Sequence, residues 1–162
     1  MRWHQFEKEC PELAAMARDR LSTDQLVLLG TIRADGAPRV SPCEVDFAAG
    51  ELMLGMMWRS RKALDLRRDP RIAVHSLPAD KDNAGGDVKL DGRAVEVHDP
   101  AVRERYCAAI QARIDWHPTG DYHLFVLDVE HAATVRFRAE DGMMTVRRWY
   151  PGGPVSTEER PG

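Results

Sequence analysis

One stretch, residues 51–74 (ELMLGMMWRSRKALDLRRDPRIAV), constrains the fold more than any other part of the chain. Its apolar run at residues 52–57 is typical of a buried strand, and the Ser60-Arg61-Lys62 sequence that follows is typical of a first helical turn. This helix must end near Asp69, because the residue before a proline is disfavoured in the α region. A second apolar run at residues 72–74 predicts another strand. The stretch therefore predicts strand, basic turn, short helix and strand.

The start of the predicted helix is suited to bind a phosphate. The first N–H groups of a helix have no partner within it and attract anions. Three cations, Arg59, Arg61 and Lys62, lie beside them. In this interpretation the Ser60 hydroxyl and the adjacent amides hold phosphate oxygens, while the cationic side chains neutralise their charge. The alternative is a solvated basic helix face that the later arginines of the helix simply continue.

Composition and charge exclude several classes of function. The chain has 162 residues, of which 43% are hydrophobic and 30% charged, so we expect one domain over residues 1–150. Residues 151–162 are rich in Pro and Gly and are expected to form a flexible tail. The net charge of -3 argues against nucleic-acid binding. We expect neither a signal peptide nor a membrane span. The three cysteines are isolated, which predicts reduced thiols and a cytoplasmic location.

Turn signals divide the rest of the chain into short elements. A loosely held arm is expected over residues 1–10, followed by a helix that begins at Pro11. The pair Asp99-Pro100 predicts the start of another helix, with Asp99 as its N-cap. The polar residues 77–86 predict a mobile loop, and Asp91-Gly92 predicts a β-bulge or a bend in the strand. Strands are predicted at residues 25–33, 39–47, 51–57, 72–76, 88–98, 123–129, 134–137 and 143–150.

These elements indicate a mainly β fold with peripheral helices, in the α+β class. Seven or eight short strands and three helices are predicted, without regular alternation of strand and helix. Short connections favour antiparallel pairing, and the first three strands are expected to form a meander. Closure of the sheet into a barrel removes exposed edges. We therefore expect an antiparallel barrel, closed or nearly closed, with helices at its periphery.

The strand at residues 39–47 is expected to pair with the strand at residues 51–57 through a short turn, so its residues are candidates for the same cavity. These candidates are Arg39, Val40, Ser41 and Pro42, although an exposed hairpin explains them better when they are taken alone. Met56 and Met57 lead into the basic turn and would pack against a flat aromatic ligand, but methionines in a strand are more often core. Trp149 suits either a pocket wall or a subunit contact.

The chain shows no catalytic group of its own. Its six histidines form no metal-binding motif, so we expect no metal site. No serine or cysteine lies in a recognisable nucleophile motif, and no pair of carboxylates stands out for acid–base catalysis. A phosphate site beside an apolar slot fits a protein whose chemistry belongs to a bound cofactor.

At three segments the sequence resembles the pyridoxamine 5'-phosphate oxidase-like, FMN-binding split-barrel family, and within it the smaller flavin and deazaflavin oxidoreductases. The segments are LLGTIRADGAPRVSPCEVDF, ELMLGMMWRSRKALDLRRDPRIAV and VKLDGRAVEV. The resemblance implies a split barrel of six to eight antiparallel strands. It also implies a homodimer that binds FMN, or alternatively a deazaflavin, between its subunits.

The resemblance assigns roles to particular residues. Ser60, Arg61 and Lys62 would hold the cofactor phosphate. The ribityl chain and ring would lie along two strand segments, and Trp149 is the candidate for the family's flavin-contacting tryptophan. The family's Arg-x-His near the C-terminus has no clean counterpart in residues 145–150, which argues against pyridoxine phosphate as substrate. The two strand segments are Arg39, Val40, Ser41 and Pro42 on one side and Met56 and Met57 on the other.

Three functions remain open at the level of sequence. The first is an FMN-dependent oxidoreductase that transfers a hydride between the flavin and a small organic substrate, with a deazaflavin-dependent reductase of the same fold as its variant. The second is a non-catalytic module that stores or senses the cofactor. The third is a structural dimer whose basic turn is only a solvated surface.

Overall fold

The computed structural model describes residues 1–23, 25–77 and 85–162. Most of the loop predicted at residues 77–86 lies outside the described residues. Within them the chain forms four helices and nine strands. The helices are α1 (Trp3–Glu9), α2 (Pro11–Thr23), α3 (Arg61–Arg68) and α4 (Pro100–Ile114). The strands are β1 (Leu26–Ile32), β2 (Pro38–Glu44), β3 (Asp46–Ala48), β4 (Glu51–Met57), β5 (Arg71–Ser76), β6 (Asp87–Glu96), β7 (Tyr122–Arg138), β8 (Met143–Trp149) and β9 (Ser156–Pro161).

All strands belong to one antiparallel sheet with the order β2-β1-β5-β6-β7-β4-β3, and β8 and β9 extend it beyond β7. The two ends of this path, β2 and β3, are consecutive in the chain and are separated only by Val45. The covalent chain rather than a hydrogen-bonded ladder therefore joins the two ends of the sheet. This arrangement confirms the predicted mainly β, antiparallel α+β split barrel.

The predicted pairing of residues 39–42 with β4 is wrong. These residues lie in β2, which pairs with β1, and only the short β3 pairs with β4. Because β2 ends the sheet, one of its edges has no neighbouring strand. Pro42, which lacks a backbone N–H, is therefore tolerated in this strand. The thiol of Cys43 donates to the carbonyl oxygen of Gly55 over 3.5 Å, which keeps β2 close to β4 without pairing.

The predicted loose arm at residues 1–10 is also wrong, because residues 3–9 form α1. Trp3 and Phe6 are fully buried in the main core. Burial of each large apolar side chain contributes about 1.5–3 kcal/mol, and such packing against the core, more than helix propensity, stabilises a helix this short. A smaller second core lies under α4 and includes Met53, Tyr106 and Ile110. Its helix begins as predicted, with Asp99 accepting a hydrogen bond from the Ala101 amide over 2.8 Å.

One strand, β7, replaces the two strands predicted at residues 123–137. It runs through the polar residues Glu130 and His131, where its register against β6 shifts at the predicted bulge Asp91-Gly92. His131 is retained in the strand because its Nδ1 lies 2.8 Å from Asp91 Oδ2. The bulge therefore accommodates these polar residues within one continuous strand, although the sequence pattern indicates a boundary between two strands there.

Within the segment predicted as a flexible tail, Ser156–Pro161 forms β9 beside β8. Both faces of β9 are exposed, so the strand depends on backbone pairing and on cross-strand ion pairs rather than on apolar burial. Arg148 pairs with Glu158 and Arg138 pairs with Glu159, each over 2.9 Å. A strand stabilised in this way needs no alternation of apolar and polar residues. The sequence pattern therefore does not predict it.

Among the described residues, no helix combines the length and the hydropathy that crossing a membrane requires.

Candidate functional site

The turn between β4 and α3 has the predicted order of strand, turn and helix. β4 ends at Met57, whose carbonyl oxygen accepts a hydrogen bond from the Ser60 amide over 3.1 Å. Arg59 has a φ of 54°, in the left-handed region that non-glycine residues seldom adopt. Ser60 is the N-cap of α3, and the helix ends at Asp69, the residue before Pro70. This tight turn places the first turn of α3 directly at the end of β4.

The start of α3 is electrostatically unusual. Its first turn, all of whose residues the structure describes, contains no acidic residue but contains Arg61 and Lys62. Cations are disfavoured at the positive end of the helix dipole. The N–H groups of residues 61–63 also lie ahead of the first backbone bond of the helix, which Leu64 donates to Ser60 over 3.0 Å. Amide donors and cations therefore converge where an anion is most strongly stabilised.

Ser60 adds an unsatisfied hydroxyl to this corner. It is the N-cap residue by position, but its side chain makes no capping hydrogen bond. Its Oγ is buried and has no hydrogen-bond partner among the described residues. Since buried polar atoms are almost always paired, this unpaired hydroxyl is an exception that points to a partner other than the described residues.

A cavity of about 580 Å³ lies beside this corner, between β2, β4, α4 and the loop of residues 115–121. Its volume is in the range of small-molecule and cofactor sites. Apolar and aromatic side chains predominate in its wall, with one lysine and two carboxylates among them. The lining residues are Leu26, Pro42, Cys43, Glu44, Gly55, Met56, Met57, Trp58, Lys62, Tyr106, Trp116, Pro118, Thr119, Gly120, Asp121 and Tyr122.

Four of the predicted site residues line this cavity: Pro42, Met56, Met57 and Lys62. Lys62 Nζ donates to the Pro42 carbonyl oxygen over 2.5 Å and so connects α3 to β2. Met56 is almost fully buried, whereas Met57 is 79% exposed. The structure therefore brings the predicted methionines, the proline and one phosphate-binding candidate to a single concave surface.

Other predicted residues lie elsewhere. Ser60 and Arg61 are next to Lys62 in the chain but are not in the cavity wall, and Val40 is 69% exposed on the free edge of β2. Ser41 neighbours Pro42 without lining the cavity. Trp149 is 1% exposed and packs in the core with its ring 4.7 Å from that of Phe6. The structure therefore assigns Trp149 to core packing.

Arg39 is engaged by a carboxylate of α3. Its Nε lies 2.6 Å from Asp65 Oδ2, which also accepts a hydrogen bond from the Thr31 hydroxyl over 3.0 Å. Burial raises the pKa of Asp65, but the hydrogen bonds from Arg39 and Thr31 outweigh burial, so the pKa lies below its ordinary value of 3.8. The geometry gives Arg39 a structural role, because it neutralises a buried charge.

Replacing Arg39 by alanine is expected to lower the free energy of unfolding by about 1.5–3 kcal/mol at pH 7, because a hydrogen-bonded buried carboxylate loses its main partner. The pKa of Asp65 is lowered on folding, so its contribution is complete above about pH 5 and disappears as the pH falls below 3.8. Urea unfolding at a series of pH values measures both effects. Arg33→Ala, which breaks an exposed pair with Asp35, is the matched control. Equal losses in the two variants would contradict the structural role of Arg39.

Several cavity residues were not identified from the sequence. Tyr106 reaches the cavity from α4, and Gly55 makes room for it, since a Cβ on Gly55 would lie 1.9 Å from the Tyr106 hydroxyl oxygen. Gly55 inside an apolar run was a usable signal, because glycine in a strand often marks a close approach. Burial raises the pKa of Tyr106, and it raises the pKa of the Cys43 thiol to about 11, so both remain protonated at neutral pH.

Comparison with known proteins gives one family match and many similar structures. The sequence profile of the pyridoxamine 5'-phosphate oxidase family matches residues 13–136. No curated protein matches the chain. A pyridoxamine 5'-phosphate oxidase-related, FMN-binding protein of Nostoc punctiforme is 15% identical, with a TM-score of 0.65 and 97% of each chain covered.

Two mycobacterial structures are similar as well. A conserved hypothetical protein of Mycobacterium tuberculosis is 22% identical, with a TM-score of 0.63, and the match covers 73% of this chain and 81% of that one. A heme-binding protein of Mycobacterium smegmatis is 20% identical, with a TM-score of 0.61, and the match covers 90% of this chain and 57% of that one. At these identities the structures support the fold alone.

Proposed function

The chain belongs to the pyridoxamine 5'-phosphate oxidase family, and on this premise we propose that it is an FMN-dependent oxidoreductase that transfers a hydride between the flavin and a small organic substrate. The observation that carries the proposal is the basic start of α3 beside an aromatic cavity. A phosphate and a flat ring, joined in one molecule, match these two adjoining surfaces. The FMN-binding relative of Nostoc punctiforme supports the same cofactor.

The residues present fit FMN in three respects. The unpartnered Ser60 hydroxyl and the cations Arg61 and Lys62 supply donors for a phosphate. Met56, Met57 and Pro42 offer an apolar surface along the cavity. The volume of about 580 Å³ suits a cofactor ring with part of its chain.

When bound, FMN supplies the capacity to accept and release a hydride, and the protein supplies position and environment. Lys62 and Arg61 would fix the charged end of the cofactor. Met57 and Trp58 would cover the ring and exclude water from one side of it. Cys43 and Tyr106 remain protonated at neutral pH, so neither serves as a nucleophile or base. No side chain of the cavity is required as an acid.

The substrate is proposed to differ from pyridoxine phosphate. The C-terminal arginines of β8 are already paired, Arg147 with Glu12 and Arg148 with Glu158, each over 2.9 Å. Neither arginine lines the cavity. Because both arginines of that segment are paired, the phosphate group of such a substrate has no cationic partner there.

A direct test is to identify whatever copurifies with the protein. Flavin absorbance together with the mass of FMN would support the proposal, and the mass of a deazaflavin would select the reductase of the same fold. Steady turnover of an electron donor with the loaded protein then separates an enzyme from a module that only stores or senses the cofactor. A colourless protein that binds neither cofactor when it is added would overturn the proposal.

The protein is also proposed to be a homodimer with the cofactor at the subunit interface. Large apolar side chains are exposed around the cavity and on the adjoining edge of β2, with Val40 69%, Met57 79% and Trp58 51% exposed. A patch of this kind is typical of a surface that a partner covers. Light scattering at micromolar concentration is expected to give twice the chain mass of 18.3 kDa. Val40→Lys is expected to shift the mass toward the monomer. A monomeric parent would contradict this arrangement.

A further inference from the structure

A buried histidine lies directly behind one wall of the cavity. His123, the second residue of β7, is 1% exposed, and its Nδ1 lies 2.6 Å from Glu96 Oε1. The other oxygen of Glu96 is 3.1 Å from the Nε of Arg67 on α3. One carboxylate therefore connects the end of β6, the start of β7 and the helix that carries the anion-binding corner. The Nε2 of His123 is buried without a partner among the described residues.

The imidazole of His123 stacks on the indole of Trp58. The ring centroids are 4.6 Å apart and the ring planes differ by 12°. Trp58 is 51% exposed and lines the cavity, and it precedes Ser60 by two residues. A half-exposed indole at the end of a strand would ordinarily adopt several rotamers. Stacking on a buried, hydrogen-bonded ring favours the single orientation that the structure shows.

We propose that the His123–Glu96 pair positions Trp58 as the wall of the cavity and thereby sets how tightly the cavity holds a flat aromatic ligand. The proposal rests on the proposed function for the identity of the ligand, but the positioning of Trp58 itself does not. Glu96 fixes the tautomer and the plane of the imidazole by accepting the Nδ1 proton. The fixed imidazole then fixes the indole before any ligand binds, which lowers the entropy cost of binding. His123 is a positioning residue, because it does not itself line the cavity.

The test combines a structural readout with a binding readout. The ligand-free protein is labelled with 5-fluorotryptophan, and the resonance of Trp58 is assigned among the four tryptophans by Trp58→Phe. His123→Ala is expected to shift or broaden the Trp58 resonance and leave those of Trp3 and Trp149 unchanged. It is also expected to weaken FMN binding about three- to tenfold, the effect of releasing one large side chain. His123→Phe, which keeps a flat ring against the indole but has no proton for Glu96, is expected to restore the resonance and the affinity only in part.

Glu96→Gln tests the contact between Glu96 and His123. It also provides a second variant in case His123→Ala does not fold. Glu96 is partly exposed, so the fold should tolerate the change, and loss of the charge is expected to broaden the Trp58 resonance. The proposal is overturned if Trp58 is unaffected in Glu96→Gln and in whichever histidine variants fold. It is also overturned if losses of affinity in Trp58→Phe and His123→Ala simply multiply in the double variant. If the parent binds no cofactor, the proposed function fails, but the fluorine spectrum of the ligand-free protein still decides the role of His123.

Discussion

Replacing Arg61 and Lys62 together by alanine is expected to weaken FMN binding about a hundredfold or more. Hydrogen bonds to charged groups are worth about 1.5–3 kcal/mol each, and each 1.4 kcal/mol is tenfold in affinity. Both residues lie in the first turn of α3, where no acidic side chain offsets them. Titration of the ligand-free variant with FMN, followed by flavin fluorescence or calorimetry, measures the loss.

The free energy of unfolding separates this role from a structural one. Cations at the start of a helix oppose its dipole, so without ligand the double variant is expected to stay within about 1 kcal/mol of the parent. Lys8→Ala with Arg105→Ala is the matched control, since it removes the same charge from exposed positions outside the cavity wall. Affinity within twofold of the parent would exclude the corner as a phosphate site. An equal loss in the control would attribute the effect to net charge alone.

Gly92→Ala is expected to lower the free energy of unfolding by about 3 kcal/mol or more, at the upper end of the range for overpacking. A Cβ at this position would lie 1.9 Å from the carbonyl oxygen of Asp128 and 3.2 Å from the amide nitrogen of Glu130. Both atoms belong to the backbone of β7, which cannot move away without breaking its ladder with β6. The methyl group of an alanine at position 92 therefore cannot be accommodated at the bulge without a steric clash.

Urea unfolding of the variant measures this loss directly. Gly120→Ala is the matched control, because a Cβ there meets nothing within 4 Å, and we expect its unfolding free energy to stay within about 0.5 kcal/mol of the parent. A Gly92→Ala protein as stable as this control would contradict the close approach of β6 and β7 at the bulge.

Sequence alone predicted the segments whose signals are local. The β4–α3–β5 segment has an apolar run, a serine at the N-cap position and an Asp-Pro stop within 26 residues of chain. Asp99 similarly predicts the start of α4, and Asp91-Gly92 predicts the irregularity in β6. Each of these signals acts through the backbone of its immediate neighbours, so no knowledge of distant contacts is needed to interpret it.

The contacts that the sequence does not indicate join residues that are distant in the chain. Arg39 is a cofactor candidate from its position on a strand expected beside residues 51–57, whereas the structure pairs it with Asp65, 26 residues later. Trp149 was a candidate because it ends a strand, but it packs against Phe6 from an N-terminal helix that the sequence did not predict. Tyr106 comes to the cavity from another element entirely. Such pairings depend on the assembled barrel and leave no local pattern.

The central claim is that the corner formed by Ser60, Arg61 and Lys62 holds the phosphate of a redox cofactor. Parallel titrations of the ligand-free parent with FMN and with riboflavin test it most directly, since the two ligands share ring and ribityl chain and differ in the phosphate. We expect FMN to bind at least about a hundredfold more tightly than riboflavin, because only FMN makes charge-assisted hydrogen bonds through a phosphate. Equal affinities, or binding of neither ligand, would contradict the claim.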